Sequence, residues 1–336
     1  MNRPTVRDVA ERAGVSIATV SRALSDQDVV SVDTRERVLE AAADLNYHVN
    51  GHARSLRSAR SNTIGLLVSD IRNPFFAELA HVIQTDLARR GYATFIGSAS
   101  EDRERQDAYL ASLMEQRIDG VILSPQSDES QSIRRMIDLK LPIVFVDRTV
   151  PDLGIASVDS DPSQGIREAL EALSGVGWKT VGFVAGPMNT STGRDRLAEF
   201  EYVADEVFPP DHVRVAYGGY SDSQVNSALD LLLDQGVDAL IFGYSPNAIS
   251  ALRELRRRGL VPGRDIAFVS FDDLDLFTLM DPAIAVISQD VKQMGTAAVK
   301  ILLALMRGEK PTSQRIPTQF ITRRSIGETQ SIRSKE

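Results

Sequence analysis

Residues 5–24 read TVRDVAERAGVSIATVSRAL, and this stretch constrains the chain more than any other: it spells two short helices joined by a glycine. Thr5 caps the first, Asp8 follows three residues on as the acid of a capping box, and Val6, Val9, Ala10 and Ala13 recur at the spacing of one narrow buried face. Gly14 falls where a helix C-terminus needs positive φ, and Val15 plugs the corner. Ser16 caps the second helix. With Val20 and Leu24 turned inward, Ile17, Ala18, Thr19, Ser21 and Arg22 face out near its start, the part of a helix-turn-helix recognition helix that meets base edges in the major groove. A third helix, capped by Ser31 or Asp33 and buried through Val38, Ala41, Ala42 and Leu45, ends near Asn46 and Tyr47 and closes a headpiece over residues 1–49. Taken alone, a helix–glycine–helix pattern also fits a helical hairpin decorating an enzyme.

The next segment, NGHARSLRSAR from Asn50 to Arg60, places Arg54, Arg57 and Arg60 three apart, with Ala53 and Leu56 as its apolar members. It is too short to hold a helix in water, because nucleation is costly. Such a segment can fold when phosphates neutralise its arginines, leaving Leu56 as a wedge for the minor groove. Ala53, Arg54, Leu56 and Arg57 therefore join Ser16, Ile17, Ala18, Thr19 and Arg22 as the expected DNA-facing set; by itself the segment is equally an ordinary basic linker.

Three runs together, Thr5 to Leu24, VSVDTRERVLEAAADLNY from Val30 to Tyr47, and ARSLRSARSNTIGLL from Ala53 to Leu67, resemble the lac repressor (LacI/GalR) family of bacterial transcription regulators, and the similarity runs along the whole chain. The resemblance implies a helix-turn-helix headpiece (1–49), a hinge helix or linker (50–61), and a two-subdomain core like that of periplasmic sugar-binding proteins (62–324). Within the core it implies one subdomain of about 62–160 and 290–322 and a second of about 161–289, followed by a polar tail (325–336). It makes Ile17, Ala18 and Arg22 the base readers and Leu56 the intercalating hinge leucine.

Composition agrees. A chain of 336 residues that is 43% hydrophobic can bury more than one core. The net charge of −8 divides unevenly: residues 1–60 hold nine arginines against eight acids, or +1, which leaves −9 for the rest. An acidic bulk opposes indiscriminate DNA binding, so affinity has to rest on placed contacts. There is no cysteine, hence no disulfide framework or thiolate chemistry, and the four histidines lack metal spacing. Neither cofactor nor metal is expected. No apolar run has signal-peptide or membrane-spanning length, so the expectation is a cytoplasmic protein with no membrane partner.

From Thr63 the pattern alternates strand and helix, the signature of an α/β fold with parallel sheets. Strands are expected at 63–68, 92–97, 120–124 and 142–146 with helices at 75–90 and 103–117; after Asp159 the cycle restarts, with helices at 163–173 and 196–206 and strands at 180–185, 239–242 and 266–270. Two similar halves follow one another. Parallel sheets bind ligands beyond the carboxyl ends of their strands, and a cleft between two sheets encloses a small molecule.

The residues at those ends are Asn73, Phe75 and Phe76; Asp147 and Arg148; Arg194 and Arg196; Tyr220; Asp272 and Asp273; and Gln289. Carboxylates accept from sugar hydroxyls, guanidinium groups donate in a fork, and aromatic rings cover C–H faces. By resemblance, Asn73, Phe75, Phe76, Asp147, Arg148, Arg196, Tyr220, Asp272 and Gln289 fall on sugar-contacting positions of ribose-binding relatives. Tyr244 and Ser245 stand where relatives commonly have Asn and Asp; Tyr244 either narrows the pocket or stacks on something attached to the sugar, such as a nucleoside base.

Adjacent carboxylates at Asp272 and Asp273 do not make an enzyme, since no poised base, metal cluster or phosphate loop accompanies them. The resemblance implies a homodimeric repressor on a palindromic double-stranded DNA operator, released by a sugar effector: ribose, another pentose or a ribonucleoside. A corepressor-dependent or phosphocarrier-dependent catabolite regulator of the same family is the alternative. The polar end of the chain lacks a leucine heptad, which favours a dimer, with 75–87 and 294–306 as candidate interface segments or ordinary sheet-covering helices.

Overall fold

The computed structural model describes residues 4–24, 30–47 and 61–327. It divides into an N-terminal unit, Met1–Ser61, and a larger unit, Asn62–Glu336. Ala53, Arg54, Leu56 and Arg57 of the expected hinge, and the end of the expected tail, lie outside the described residues.

The small unit holds α1 (Val6–Ala13), α2 (Ile17–Ala23) and α3 (Val32–Asp44). The Asp8 carboxylate takes both the Thr5 backbone N–H (2.6 Å) and its hydroxyl (2.8 Å), and these bonds hold Asp8 below the usual carboxylate range. Gly14 ends α1 at φ 66°, a conformation open to glycine at no steric cost, and the Ser16 hydroxyl accepts from the Thr19 N–H at 3.1 Å. Val9, Ala10, Ala13, Val20, Ala23, Val38, Ala41 and Ala42 form its core. Ala23 fills the inner position expected of Leu24, which caps α2 and is only half-buried.

In the large unit, the first lobe comprises β1 (Thr63–Val68), α4 (Pro74–Arg89), β2 (Ala93–Ser98), α5 (Arg103–Glu115), β3 (Gly120–Leu123), α6 (Gln131–Asp138), β4 (Ile143–Val146) and β5 (Ser157–Asp161). The second comprises α7 (Ser163–Val176), β6 (Val181–Ala185), α8 (Ser191–Val207), β7 (Val213–Tyr217), α9 (Asp222–Asp234), β8 (Ala239–Phe242), α10 (Ser245–Arg258), β9 (Ala267–Phe271), α11 (Asp275–Leu279) and β10 (Ala285–Ser288). The chain then returns to the first lobe for α12 (Val291–Met306) and β11 (Gln314–Pro317), and crosses back for β12 (Gln319–Ile321).

The sheet orders are β11-β5-β4-β3-β1-β2 and β12-β10-β9-β8-β6-β7. All neighbours are parallel except β12, which runs antiparallel to β10. Both sheets reverse strand order at their first strand, so each lobe has a switch point at the C-terminal edge of β1 or β6. Each sheet is covered on both faces: Ile83 of α4 and Leu302 of α12 pack on one side of the first, Leu110 and Met136 on the other. The 294–306 segment is thus a sheet-covering helix, its apolar residues Met294, Val299, Ile301 and Leu302 buried within the lobe.

The structure corrects two expected boundaries. Strand β12 belongs to the second sheet, so residues after Pro317 leave the first lobe, earlier than the 322 read from the sequence. Nor is the chain a polar tail from 325: Ser325 and Ile326 are buried, the Ser325 hydroxyl donates to Phe268 O at 2.6 Å, and Trp178 Nε1 donates to Ile326 O at 2.7 Å. A three-residue strand and one buried turn carry too little periodicity to be seen in sequence.

Candidate effector site

The carboxyl ends of both sheets face one cleft of about 360 Å³, lined by Asn73, Phe75 and Phe76 from the start of α4, Asp147 and Arg148 after β4, Arg196 from α8, Tyr244 after β8, Asp272 after β9 and Gln289 after β10. Nine of the ten expected effector residues therefore converge. Tyr220 does not. It stands 45% exposed at a wider outer opening, its hydroxyl donating to Asn189 at 3.1 Å and its ring edge-on to Tyr244 at 6.5 Å. Arg194 is exposed and donates to Met188 O, and Asp273 pairs with Arg323 at 2.7 Å, so neither joins the cleft.

The two lobes present matching aspartates. Asp147 and Asp272 follow equivalent strands, each takes a left-handed backbone (φ 66° and 67°), and each N–H bonds the next strand, to Val158 O and Ile287 O. Left-handed non-glycine residues cost on the order of 1–2 kcal/mol each, and such strain gathers at functional sites. Here it turns both carboxylates off their strands into the cleft. Asp272 is fully engaged by Gln289 Nε2 (2.6 Å) and the Ser245 hydroxyl (2.5 Å). Asp147 has Arg148 at 3.8 Å, and burial pushes its pKa up to about 6 against the pull of Arg148 and Arg196.

Arg196 donates to Gly243 O at 2.8 Å and lies over the Phe271 ring at 4.1 Å. Its Nε, the Nε of Arg148 and the Oε1 of Gln289 are buried with no hydrogen-bond partner among the described residues. Unpaired buried polar groups are costly, so the cleft is built for a molecule that both donates and accepts. Phe75 and Phe76, edge-to-face at 5.0 Å, give it one apolar wall.

Sequence reasoning missed two groups. Thr190, Thr192 and Gly193 line the cleft because α8 starts at Ser191 rather than at 196, with Thr190 as its cap, accepting from Gly193 N at 3.1 Å. Glu101 and Gln126 grip Arg148, with Glu101 at 2.7 and 2.8 Å and Gln126 at 3.0 Å. Both follow strands, β2 and β3, so their position at strand ends was the available signal, though not their burial. A Cβ on Gly193 would sit 2.2 Å from Pro187 O. Gly193→Ala is therefore expected to displace the Pro187–Thr190 turn and to destabilise the protein by roughly 1–3 kcal/mol, a loss read as a lower Tm and weaker effector binding.

In the headpiece, Ser16, Ile17, Ala18 and Arg22 are exposed and Thr19 is half-buried, its hydroxyl 2.9 Å from that of Ser16. One helix thus offers an apolar side chain and hydroxyls at its N-terminus and a guanidinium in its last turn.

A three-helix reader joined to a two-sheet core with a polar cleft defines a ligand-responsive DNA-binding regulator. Residues 5–50 match the bacterial regulatory proteins of the lacI family, and residues 170–326 match a periplasmic binding protein-like domain. The ribose operon repressor of Bacillus subtilis (strain 168) is 32% identical over 96% of this chain and 98% of its own length. The HTH-type transcriptional repressor CytR of Escherichia coli (strain K12) is 30% identical over 91% of this chain and 90% of its own. Among solved structures, the lac repressor dimer bound to operator and an anti-inducer superposes with a TM-score of 0.85 at 26% identity, covering 97% of this chain and all of that one. The chain belongs to the lacI family of bacterial regulatory proteins and is a transcriptional regulator rather than an enzyme. Among the described residues no helix is long and apolar enough to cross a membrane.

Proposed function

We propose that the protein is a homodimeric repressor that reads a palindromic operator through paired α2 helices and releases it when a small sugar, a pentose free or within a ribonucleoside, closes the cleft. The observation that carries the effector half is the cleft itself, with two unpaired donors and one unpaired acceptor beside a poorly solvated carboxylate and an aromatic wall. Hydroxyls that donate and accept satisfy all of these groups. The relatives named as repressors support the output half, and the corepressor- or phosphocarrier-dependent alternative is not favoured. The DNA-facing residues are Ser16, Ile17, Ala18, Thr19 and Arg22 with Ala53, Arg54, Leu56 and Arg57, and DNA as partner puts the working compartment in the cytoplasm.

Two hinge segments meeting at the operator centre would place the Leu56 side chains at the central base step, and ligand-driven movement of the lobes would separate them. Linkage makes the effect reciprocal: whatever factor the sugar takes from operator affinity, operator takes from sugar affinity. An operator titration at fixed salt with D-ribose and ribonucleosides tests this. Weaker DNA binding with ligand is expected; tighter binding would make the effector a corepressor.

A further inference from the structure

Arg148 is the central cation of the first lobe's half of the cleft, and how it is held decides what it can bind. Its two terminal nitrogens are committed to the Glu101 carboxylate at 2.7 and 2.8 Å, and one of them also donates to Gln126 Oε1 at 3.0 Å. Both partners of the ion pair are buried, with 4% and 10% of their side chains exposed. Gln126 is locked in turn, its amide donating to Ser69 Oγ and Ser124 O at 2.9 Å each. Glu101 is itself held in an unusual backbone: Ser100 and Glu101 are consecutive left-handed residues (φ 52° and 59°), and Glu101 N–H bonds Ser69 O. The end-on fork of Arg148 is therefore occupied, and the remaining edge, at Nε, faces Asp147 Oδ2 at 3.8 Å.

From across the cleft the Tyr244 hydroxyl donates toward the same Glu101 carboxylate at 3.5 Å. Desolvation and the Glu101 charge raise the Tyr244 and Tyr220 phenols, Tyr220 to about 12, so both remain protonated donors at the mouth. Asp147, Asp272, Arg148 and Arg196 line the cleft and Glu101 lines the outer opening beside Tyr244, so three carboxylates stand against two guanidinium groups. At the outer opening Asp70 pairs with Arg72 and Asp222 lies 4.0 Å from Arg253, so among the described residues lining it no further cation offsets that charge.

We propose that Glu101 is a specificity-determining residue that restricts the site to uncharged effectors, by occupying the fork of Arg148 that an anionic sugar would need. A phosphate or carboxylate is recognised best by a bidentate guanidinium. Here such a group would meet a neutralised arginine beside unneutralised carboxylates. A hydroxyl needs only single donors and acceptors, which the free Nε atoms and Gln289 Oε1 supply. Tyr244 reaches the same carboxylate from the second lobe, so Glu101 also takes part in the contact between the lobes.

This inference rests on the sugar reading of the cleft, and one calorimetric series on the full chain separates the two. The probes are D-ribose, cytidine, adenosine and D-ribose 5-phosphate, each titrated into wild type and Glu101→Gln. Wild type is expected to bind at least one neutral probe at least about tenfold more tightly than the phosphate ester, and Glu101→Gln to gain at least about tenfold for the ester, since its Arg148 fork is released. A gain of binding cannot come from misfolding. Wild type that takes the ester as tightly as the neutral probes overturns the inference whatever the variant does, and so does a folded variant with unchanged preference; in both cases the sugar reading survives. Wild type that binds none of the four overturns the sugar reading and the inference with it.

Discussion

Asp147→Asn is expected to abolish the effector response while making the empty core more stable. Burial raises the Asp147 pKa from about 3.8 to about 6, the cost of desolvation exceeding the attraction of Arg148 and Arg196. A raised folded-state pKa means that the native state holds the proton more tightly than the unfolded chain. Its contribution to stability is full below about 3.8 and lost as pH rises through about 6. At pH 7 the ionised carboxylate is thus a burden that Asn removes, and the Tm of Asp147→Asn should exceed that of wild type. Effector binding has the opposite sign. A carboxylate accepting hydroxyl donors must be ionised, so wild-type affinity should fall about tenfold between pH 7 and pH 5 as the group protonates. The variant, lacking the charged acceptor, should lose roughly a hundredfold at pH 7 and show no such pH dependence. Melting curves and calorimetry at the two pH values check both trends. Wild-type affinity in the variant, or binding that strengthens on acidification, would remove Asp147 from the effector site.

The opposed trends fit the way the cleft is built. Asp272 accepts two hydrogen bonds from uncharged groups of its own lobe, whereas Asp147 lacks comparable donors. The two aspartates share a backbone conformation and a place in their sheets, yet one is a finished structural contact and the other awaits a partner. Stability given up at a site for later use in binding is the usual direction of that trade.

The sequence showed which strand ends carry chemistry, because an Asp-Arg pair at 147–148 or an Asn-Pro-Phe-Phe run at 73–76 stands out shortly after an apolar strand. What it could not show is how two strand ends 100 or more residues apart face one another, since that depends on lobe geometry. Tyr220 illustrates the limit. It follows β7, the edge strand of its sheet, and the Asn189 bond holds its ring at the rim instead of inside. Glu101 illustrates the reverse. It stands just past the end of β2, but one of two adjacent acids in the exposed-looking run Ser98 to Asp102 gives no sign of burial, and its left-handed turn brings it against Arg148. The headpiece was the most legible part: capping residues, a glycine stop and helical spacing all lie within a few residues of each other, and local signals suffice.

Val20→Asp is expected to abolish operator binding and leave effector binding intact. Val20 is fully buried in a core of eight small side chains, most of them alanine, so the headpiece has little apolar area to lose. A carboxylate there would sit among apolar side chains and must either stay charged without water or take up a proton; either route costs several kcal/mol, enough to unfold a unit of this size. The sugar cleft is built from two separate sheets with their own cores, none of which includes a headpiece residue, so ligand affinity should match wild type. Arg22→Ala supplies the contrast: Arg22 is exposed on α2, so the fold should survive and operator affinity fall by only about tenfold. Gel-shift titration at one fixed salt concentration, with circular dichroism for the headpiece and calorimetry for the cleft, separates loss of fold from loss of contact. Operator binding retained by Val20→Asp would mean that α2 does not need its packed core to read DNA, and the recognition-helix assignment would fall; loss of sugar binding in the same variant would mean instead that the cleft depends on the headpiece.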